Sequence, residues 1–201
     1  EGAGVAVNVA ADAPTDGEVM GLLIEETRRF LAREVDPAAI EASGRIPDRV
    51  VAAAASAGLF ALTIPESHGG LGLPLRSAGT IVAELARVDR SVATMVGLHA
   101  GLGTRSLVVH GSEARRARWL PALAEGERVG AFGATEAGAG SDLQAIRTIA
   151  RPEGSGLRID GEKSYVTNGG FAGLYTLLVR TPGLGGERSF SMVCVPRETP
   201  G

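Results

Sequence analysis

The sequence predicts an α+β fold, in which an all-helical N-terminal domain precedes a small middle β-domain of the barrel or sandwich type. The hydrophobic periodicity changes from helical spacing to short alternating runs near the charged, glycine-containing stretch 125–128. Of the 201 residues, 44% are hydrophobic and 21% are charged, which suits a globular chain with a sizeable core. We therefore divide the chain into a flexible N-terminal arm, a helical domain and a β-domain, at 1–15, 16–128 and 129–201.

Apolar residues at helical spacing, together with capping and breaking residues, predict the helices of the first domain. We expect Asp36 and Pro37 to end the first helix, because a proline disfavours helical backbone in the residue before it. The stretch 63–74 is rich in proline and glycine and predicts a loop. The predicted helices cover about 16–36, 47–58, 75–88 and 91–110, and the last begins at Ser112.

Short apolar or alternating runs, separated by glycine-rich turns, predict the strands of the second domain. All of these runs follow the last predicted helix, so we interpret the chain as a helical domain followed by a β-domain. The predicted strands are 129–135, 146–151, 156–159, 163–167, 175–180 and 190–195.

Charge and cysteine content exclude several classes of protein. The formal net charge is -3, so no basic excess points to nucleic acid. The single cysteine, Cys194, excludes an internal disulfide and fits a reducing compartment. The apolar runs 50–65 and 91–104 fall short of the roughly 18–20 residues of a membrane span. The N-terminus does not resemble a secretory signal, so we expect a soluble, cytoplasmic protein. The residue spacing of a metal site is not present either.

The stretch 132–142 is the strongest candidate for a binding loop. It leaves a predicted strand and enters a loop with two glycines, Gly138 and Gly140, small residues and two hydroxyls, so that backbone amides can approach a polar or anionic cofactor edge. It is not a dinucleotide fingerprint, because Leu143 stands where the third glycine would be, and it is not a P-loop, because Lys163 follows Glu162. A tight strand-to-loop turn without a ligand is the alternative.

The stretch 163–170 is a second candidate. We interpret it as a strand that places Tyr165 and Thr167 on one face, where they offer a stacking wall and a hydrogen-bond donor to a flat cofactor. A plain strand that ends in an Asn-Gly turn explains the same local sequence and is the simpler interpretation.

Five motifs, in this order along the chain, resemble the acyl-CoA dehydrogenase family. The resemblance covers nearly everything from residue 18 on, and no single motif would carry it alone. The motifs are 64–72, 110–113, 119–127, 134–142 and 161–169.

The resemblance implies a flavoenzyme that binds FAD and oxidises an acyl thioester to its trans-2-enoyl form. A carboxylate removes the α-proton while the β-hydrogen passes as hydride to flavin N5. The implied partners are an acyl-CoA or acyl-carrier-protein thioester, an electron-transfer-flavoprotein-type acceptor and further copies of the chain in a homo-oligomer. Oxidases and monooxygenases share these motifs, so the final electron acceptor stays open, as do acyl length and branching.

The family's cofactor contacts carry over by motif position. Thr135 would bind the pyrimidine side of the flavin, Thr167 would lie near N5, and Ser141 would contact both the flavin phosphates and the pantetheine or nucleotide part of the substrate. Two positions depart from the family: Ala137 replaces the usual proline, and Tyr165 often corresponds to a tryptophan. The implied cofactor-binding residues are Phe132, Gly133, Ala134, Thr135, Gly140, Ser141, Tyr165, Val166 and Thr167.

No residue of this chain is expected to be the catalytic base. Family members are about twice as long, and their C-terminal helical domain carries the catalytic glutamate. We therefore expect a fragment that is inactive by itself, and we interpret Glu136, in the flavin loop, as structural. A non-catalytic or split-subunit chain that needs a partner helical bundle is the alternative. For His99, a packing role and a place in the acyl pocket are both open.

Overall fold

The computed structural model describes residues 17–182 and 189–201. The predicted N-terminal arm, 1–15, lies outside these residues. Within them, helices are followed by one mixed sheet, which confirms the α+β class. The helices are α1 (Gly17–Glu34), α2 (Pro37–Ser43), α3 (Asp48–Ser56), α4 (Leu75–Ala86), α5 (Arg90–Leu98), α6 (Thr104–His110) and α7 (Glu113–Ala124).

Helix α2 is absent from the sequence prediction. Asp36 and Pro37 do follow the end of α1, but they also begin α2, because the Asp36 side chain accepts a hydrogen bond from the backbone N–H of Ala39 at 3.1 Å. Proline in the first turn of a helix costs no hydrogen bond. Gly44, with φ of 65°, ends the helix.

Replacing Asp36 by alanine removes this cap and is expected to lower the free energy of unfolding by about 1 kcal/mol. Asp36→Asn, which retains a capping oxygen, should cost much less. Chemical denaturation of the two variants measures the difference, and equal losses would contradict a capping role.

The predicted helix 91–110 is interrupted. A π-helical turn, His99–Gly103, separates α5 from α6, and Gly101 within it has non-helical backbone angles. The sheet approaches the helices closely at this interruption, since a Cβ on Gly103 would stand 3.0 Å from the carbonyl carbon and oxygen of Gly130. The chain therefore needs glycine at 103 to bring the helical region against the first strand.

The stretch Arg90–His110 has the length and composition of a membrane span, with 21 residues and a mean hydropathy of 1.3. Half of its apolar window is buried inside the protein, as in the core helix of a soluble protein. The stretch Arg90–His110 is therefore only weak evidence for a membrane span.

The sheet is built around one central strand. Strand β4 pairs in parallel with β1 and, over its whole length, antiparallel with β5. Strands β2 and β3 form an antiparallel pair that joins β4 at one position, Ile149 beside Arg180. Among the described residues the sheet stays open and does not close into the expected barrel. The strands are β1 (Gly130–Gly133), β2 (Ile149–Glu153), β3 (Gly156–Asp160), β4 (Leu174–Arg180) and β5 (Phe190–Pro196).

The predicted strand at 163–167 is wrong. These residues are irregular, and the backbone is left-handed at Tyr165 (φ 55°) and at Asn168 (φ 65°). Side-chain and backbone bonds to the loop after β1 hold the segment in place of a strand ladder. The strict alternation of a strand therefore does not apply, although the predicted turn at 168–169 is present.

Two apolar clusters hold the elements together. The larger lies among the helices and includes the fully buried Phe60, Ile81 and Leu85. The smaller joins the sheet to α6 and α7 through Leu174, which packs with Leu107 and Leu120. The sheet is thus fixed against the helices through β4.

Candidate functional site

The two candidate loops, which are about thirty residues apart in sequence, lie side by side in the structure. The backbone N–H of Ser164 donates to the carbonyl of Thr135 at 2.8 Å. The ammonium of Lys163 donates to the carbonyl of Ala134 at 3.0 Å. The end of β1 and the segment that leads to Thr167 therefore form one continuous surface.

A buried ion pair lies beneath this surface. Lys163 Nζ is 2.8 Å from Glu136 Oε1, and the two side chains are 7% and 10% exposed. The same carboxylate accepts hydrogen bonds from Thr148 Oγ1 and from the backbone N–H groups of Arg147 and Thr148. Neither Lys163 nor Thr148 was identified from the sequence as part of this arrangement.

The bonds to Glu136 decide its protonation state. Burial raises the pKa of a carboxyl group, but here the hydrogen bonds from Lys163, Thr148 and the backbone outweigh it and lower the pKa to about 2. Glu136 is thus an ionised carboxylate whose oxygens already have four donors. A proton-abstracting base needs a free oxygen and a higher pKa, so these bonds agree with the structural interpretation of Glu136.

The loop that carries Ser141 is fixed at both of its ends. Glu136 and Ala139 exchange two backbone hydrogen bonds at the first end. At the other end, the Arg180 guanidinium donates to the carbonyls of Ile146 and Gln144. Arg180 was missed in the sequence analysis, because nothing local to it signals a contact with residues 34 to 36 positions earlier.

Glycines serve two different purposes here. A Cβ on Gly133 would approach Leu177 Cδ2 to 2.8 Å, so this glycine is explained by packing of β1 on β4. A Cβ on Gly138 or Gly140 would meet no atom within 4 Å. The space above Gly138 and Gly140 is open, and Ser141 beside them is exposed.

Tyr165 is held away from the protein. The residue is 93% exposed although its backbone is left-handed, a conformation that costs free energy for an aromatic residue. Such strain is retained where the surrounding structure fixes the chain, here through the Ser164 and Lys163 bonds on one side and the turn at Asn168 on the other. An exposed, fixed ring is suited to stack on a flat ligand.

A cleft of about 910 Å³ opens beside this segment. Thr167 and Phe171 line one wall, and Thr94 and Met95 of α5 line the other. In the described part of the chain, the hydroxyls of Thr135, Ser141 and Thr167 have no hydrogen-bond partner. Phe132 and Val166 are half-buried next to these positions.

His99 is a packing residue, buried at the junction of the helices and the sheet. Its Nδ1 accepts from the backbone N–H of Gly130 at 2.9 Å, so the proton lies on Nε2, which donates to the carbonyl of Phe60 at 3.1 Å. Burial lowers the pKa of His99 to about 4. Among the described residues, no group of three or more His, Cys, Asp or Glu side chains is placed to hold a metal ion.

Comparison with known proteins identifies the family. The family model for the acyl-CoA dehydrogenase N-terminal domain matches residues 20–127, and the model for the acyl-CoA dehydrogenase middle domain matches residues 131–201. The chain therefore belongs to the acyl-CoA dehydrogenase family.

Individual relatives agree with this assignment. An acyl-CoA dehydrogenase of Bacillus subtilis (strain 168) is 31% identical over 176 residues, which is 87% of this chain and 46% of that protein. A cyclohex-1-ene-1-carbonyl-CoA dehydrogenase of Syntrophus aciditrophicus (strain SB) is 34% identical over 187 residues, 92% of this chain and 45% of that protein. The crystal structure of an acyl-CoA dehydrogenase from Bacillus anthracis in complex with FAD has a TM-score of 0.80 and 30% identity, and the match covers 90% of this chain and 31% of that chain. The chain thus spans about half, or less, of these relatives.

Proposed function

We propose that this chain is the helical and middle-domain part of an FAD-dependent acyl-CoA dehydrogenase that desaturates an acyl thioester between its α and β carbons. The observation that carries the proposal is the joining of the two candidate loops by Lys163, Ser164 and Glu136. Family membership and the FAD complex of the Bacillus anthracis relative support it. We place the domain boundary at residues 128 and 129, supported by the ranges of the two family models.

The residues of the joined loops fit a flavin. Tyr165 offers an exposed aromatic face, and Thr135 and Thr167 offer hydroxyls that have no hydrogen-bond partner among residues 17–182 and 189–201. Gly140 and Ser141 leave open backbone and a further hydroxyl for phosphate groups. Phe132, Gly133, Ala134 and Val166 complete the proposed cofactor-binding set. When bound, FAD supplies the hydride acceptor.

The chain's own residues bind and orient in this proposal, and they do not remove the α-proton. Glu136 is ionised and fully engaged with its donors, so the base comes from a carboxylate outside the joined loops. We therefore propose that the 201 residues alone do not turn over substrate. A partner helical bundle that restores turnover when added in trans would favour the split-subunit form.

We also propose the substrate, the electron acceptor, the oligomeric state and the location of this protein. Its substrate is an acyl-CoA or acyl-carrier-protein thioester, part of which Ser141 contacts, and its electrons pass to an electron-transfer-flavoprotein-type acceptor. The protein works as a homo-oligomer in the cytoplasm. The acyl-CoA dehydrogenases among its relatives support the substrate class.

Replacing Tyr165 by alanine is expected to weaken FAD binding roughly 3- to 10-fold, which corresponds to loss of one aromatic stacking contact. Since the residue is 93% exposed, folding stability should change little. Quenching of FAD fluorescence on titration with protein measures the affinity. Tyr165→Trp is the matched control and should bind at least as tightly as the parent, while an alanine variant with unchanged affinity would contradict stacking on Tyr165.

A further inference from the structure

Asn168 connects the cofactor segment to both domains. It is 7% exposed, and its side-chain Nδ2 donates to the carbonyl of Met95 on α5 at 3.0 Å and to the carbonyl of Gly130 on β1 at 3.1 Å. The flavin contacts proposed above do not involve it. A buried amide with both hydrogens engaged is expensive to remove, because two carbonyls lose their donor together.

The contacts around Asn168 form one buried polar link. Gly130 accepts from Asn168 through its carbonyl and donates its own N–H to His99, so the peptide groups on both sides of its Cα are engaged. Met95 and His99 are four residues apart, so one stretch of the helical domain holds Gly130 directly through His99 and indirectly through the bond from Asn168 to Met95. The carbonyl of Asn168 in turn accepts from the N–H groups of Phe171 and Ala172, at 3.1 and 2.8 Å, which fixes the turn that follows.

This link spans the cleft described above. Met95 of α5 lines the cleft, as do Thr167, Asn168 and Phe171, and the bond from Asn168 to Met95 joins these two parts of the lining. Thr167 is bonded covalently to Asn168, so its hydroxyl moves with the turn. The left-handed backbone at 168 suits asparagine, which tolerates that conformation better than most residues.

We propose that Asn168 is a positioning residue: it fixes the separation of the two cleft walls and so places the Thr167 hydroxyl for the flavin. This inference rests on the proposed function. It predicts that loss of the Asn168 amide weakens ligand binding at the neighbouring Thr167, whereas loss of another interdomain hydrogen bond does not.

The test uses Asn168→Gly and Asn168→Asp in the 201-residue chain. Glycine keeps the left-handed backbone and removes the amide, and aspartate keeps the shape but cannot donate to the two carbonyls. Thr176→Val is the matched control, because it removes a different buried interdomain bond, from Thr176 Oγ1 to the carbonyl of Gly103 at 2.9 Å. Two quantities are measured: hydrogen exchange at the amides of Phe171 and Ala172, and FAD affinity by fluorescence quenching.

Both Asn168 variants are expected to exchange at these two amides roughly tenfold faster and to bind FAD roughly tenfold more weakly, as loss of two modest hydrogen bonds implies. Thr176→Val should lower the unfolding midpoint by a similar amount and leave both quantities within about twofold of the parent. Unchanged exchange in the Asn168 variants, or equal losses in Thr176→Val, would overturn the inference. If the parent chain itself binds no FAD, the proposed function fails there, and the exchange measurement still decides whether Asn168 holds the turn.

Discussion

Lys163→Met is expected to lower the free energy of unfolding by about 3–5 kcal/mol, because it leaves the buried Glu136 carboxylate without its cationic partner. The remaining donors, Thr148 and the backbone N–H of Arg147, are neutral. At the same time the carbonyl of Ala134 loses the donor that ties it to the second loop. The variant should therefore also lose most of the proposed FAD binding.

Chemical denaturation of Lys163→Met and of the double variant Lys163→Met/Glu136→Gln separates charge from packing. The double variant removes the buried charge together with its partner, so it should recover a large share of the lost stability. A single-variant loss below about 1 kcal/mol, the usual worth of an exposed pair, would show that the pair is not buried as described.

Acidification is expected to remove about 3 kcal/mol of stability through His99 alone. Burial lowers its folded-state pKa from 6.5 to about 4, while the unfolded chain takes up a proton near 6.5. Above pH 6.5 the residue is neutral in both states and its contribution is complete. As the pH falls from 6.5 to 4, only the unfolded state gains the proton, so stability declines through this window and levels off below it.

Urea denaturation of the parent and of His99→Gln, at several values between pH 7 and pH 5, isolates this contribution. The carboxylates stay largely ionised in that range, and glutamine does not titrate. The parent should lose more stability than the variant on acidification, by roughly 2 kcal/mol at pH 5. Parallel curves would mean that His99 is not buried in its neutral form.

The sequence predicted the class of fold and the positions of the two loops, because both depend on local signals. Helical and alternating periodicities separate the domains, and glycines next to small residues mark the loop 132–142. Asp36 and Pro37 show that one local signal can have two meanings. The same Asp-Pro pair that ends one helix begins the next. The prediction ended the first helix there and began the next only at residue 47, so it missed α2.

The errors and omissions are at positions whose structure depends on distant contacts. Residues 163–167 have a strand-like composition. However, Lys163 binds Glu136, 27 positions earlier, and Asn168 donates a hydrogen bond to Met95, 73 positions earlier. His99 was left between packing and ligand contact, and its bond to Gly130 settles it as packing. No periodicity or spacing rule carries such long-range hydrogen bonds, so only the three-dimensional structure provides them.

Titration of FAD with the purified chain, followed by visible absorption, tests the central claim that the joined loops form the flavin-facing part of the site. The account predicts a saturable shift of the flavin bands at one FAD per chain, weakened by Tyr165→Ala and largely lost in Lys163→Met. A spectrum that stays superimposable on that of free FAD at every protein concentration, while the chain remains folded, would contradict it.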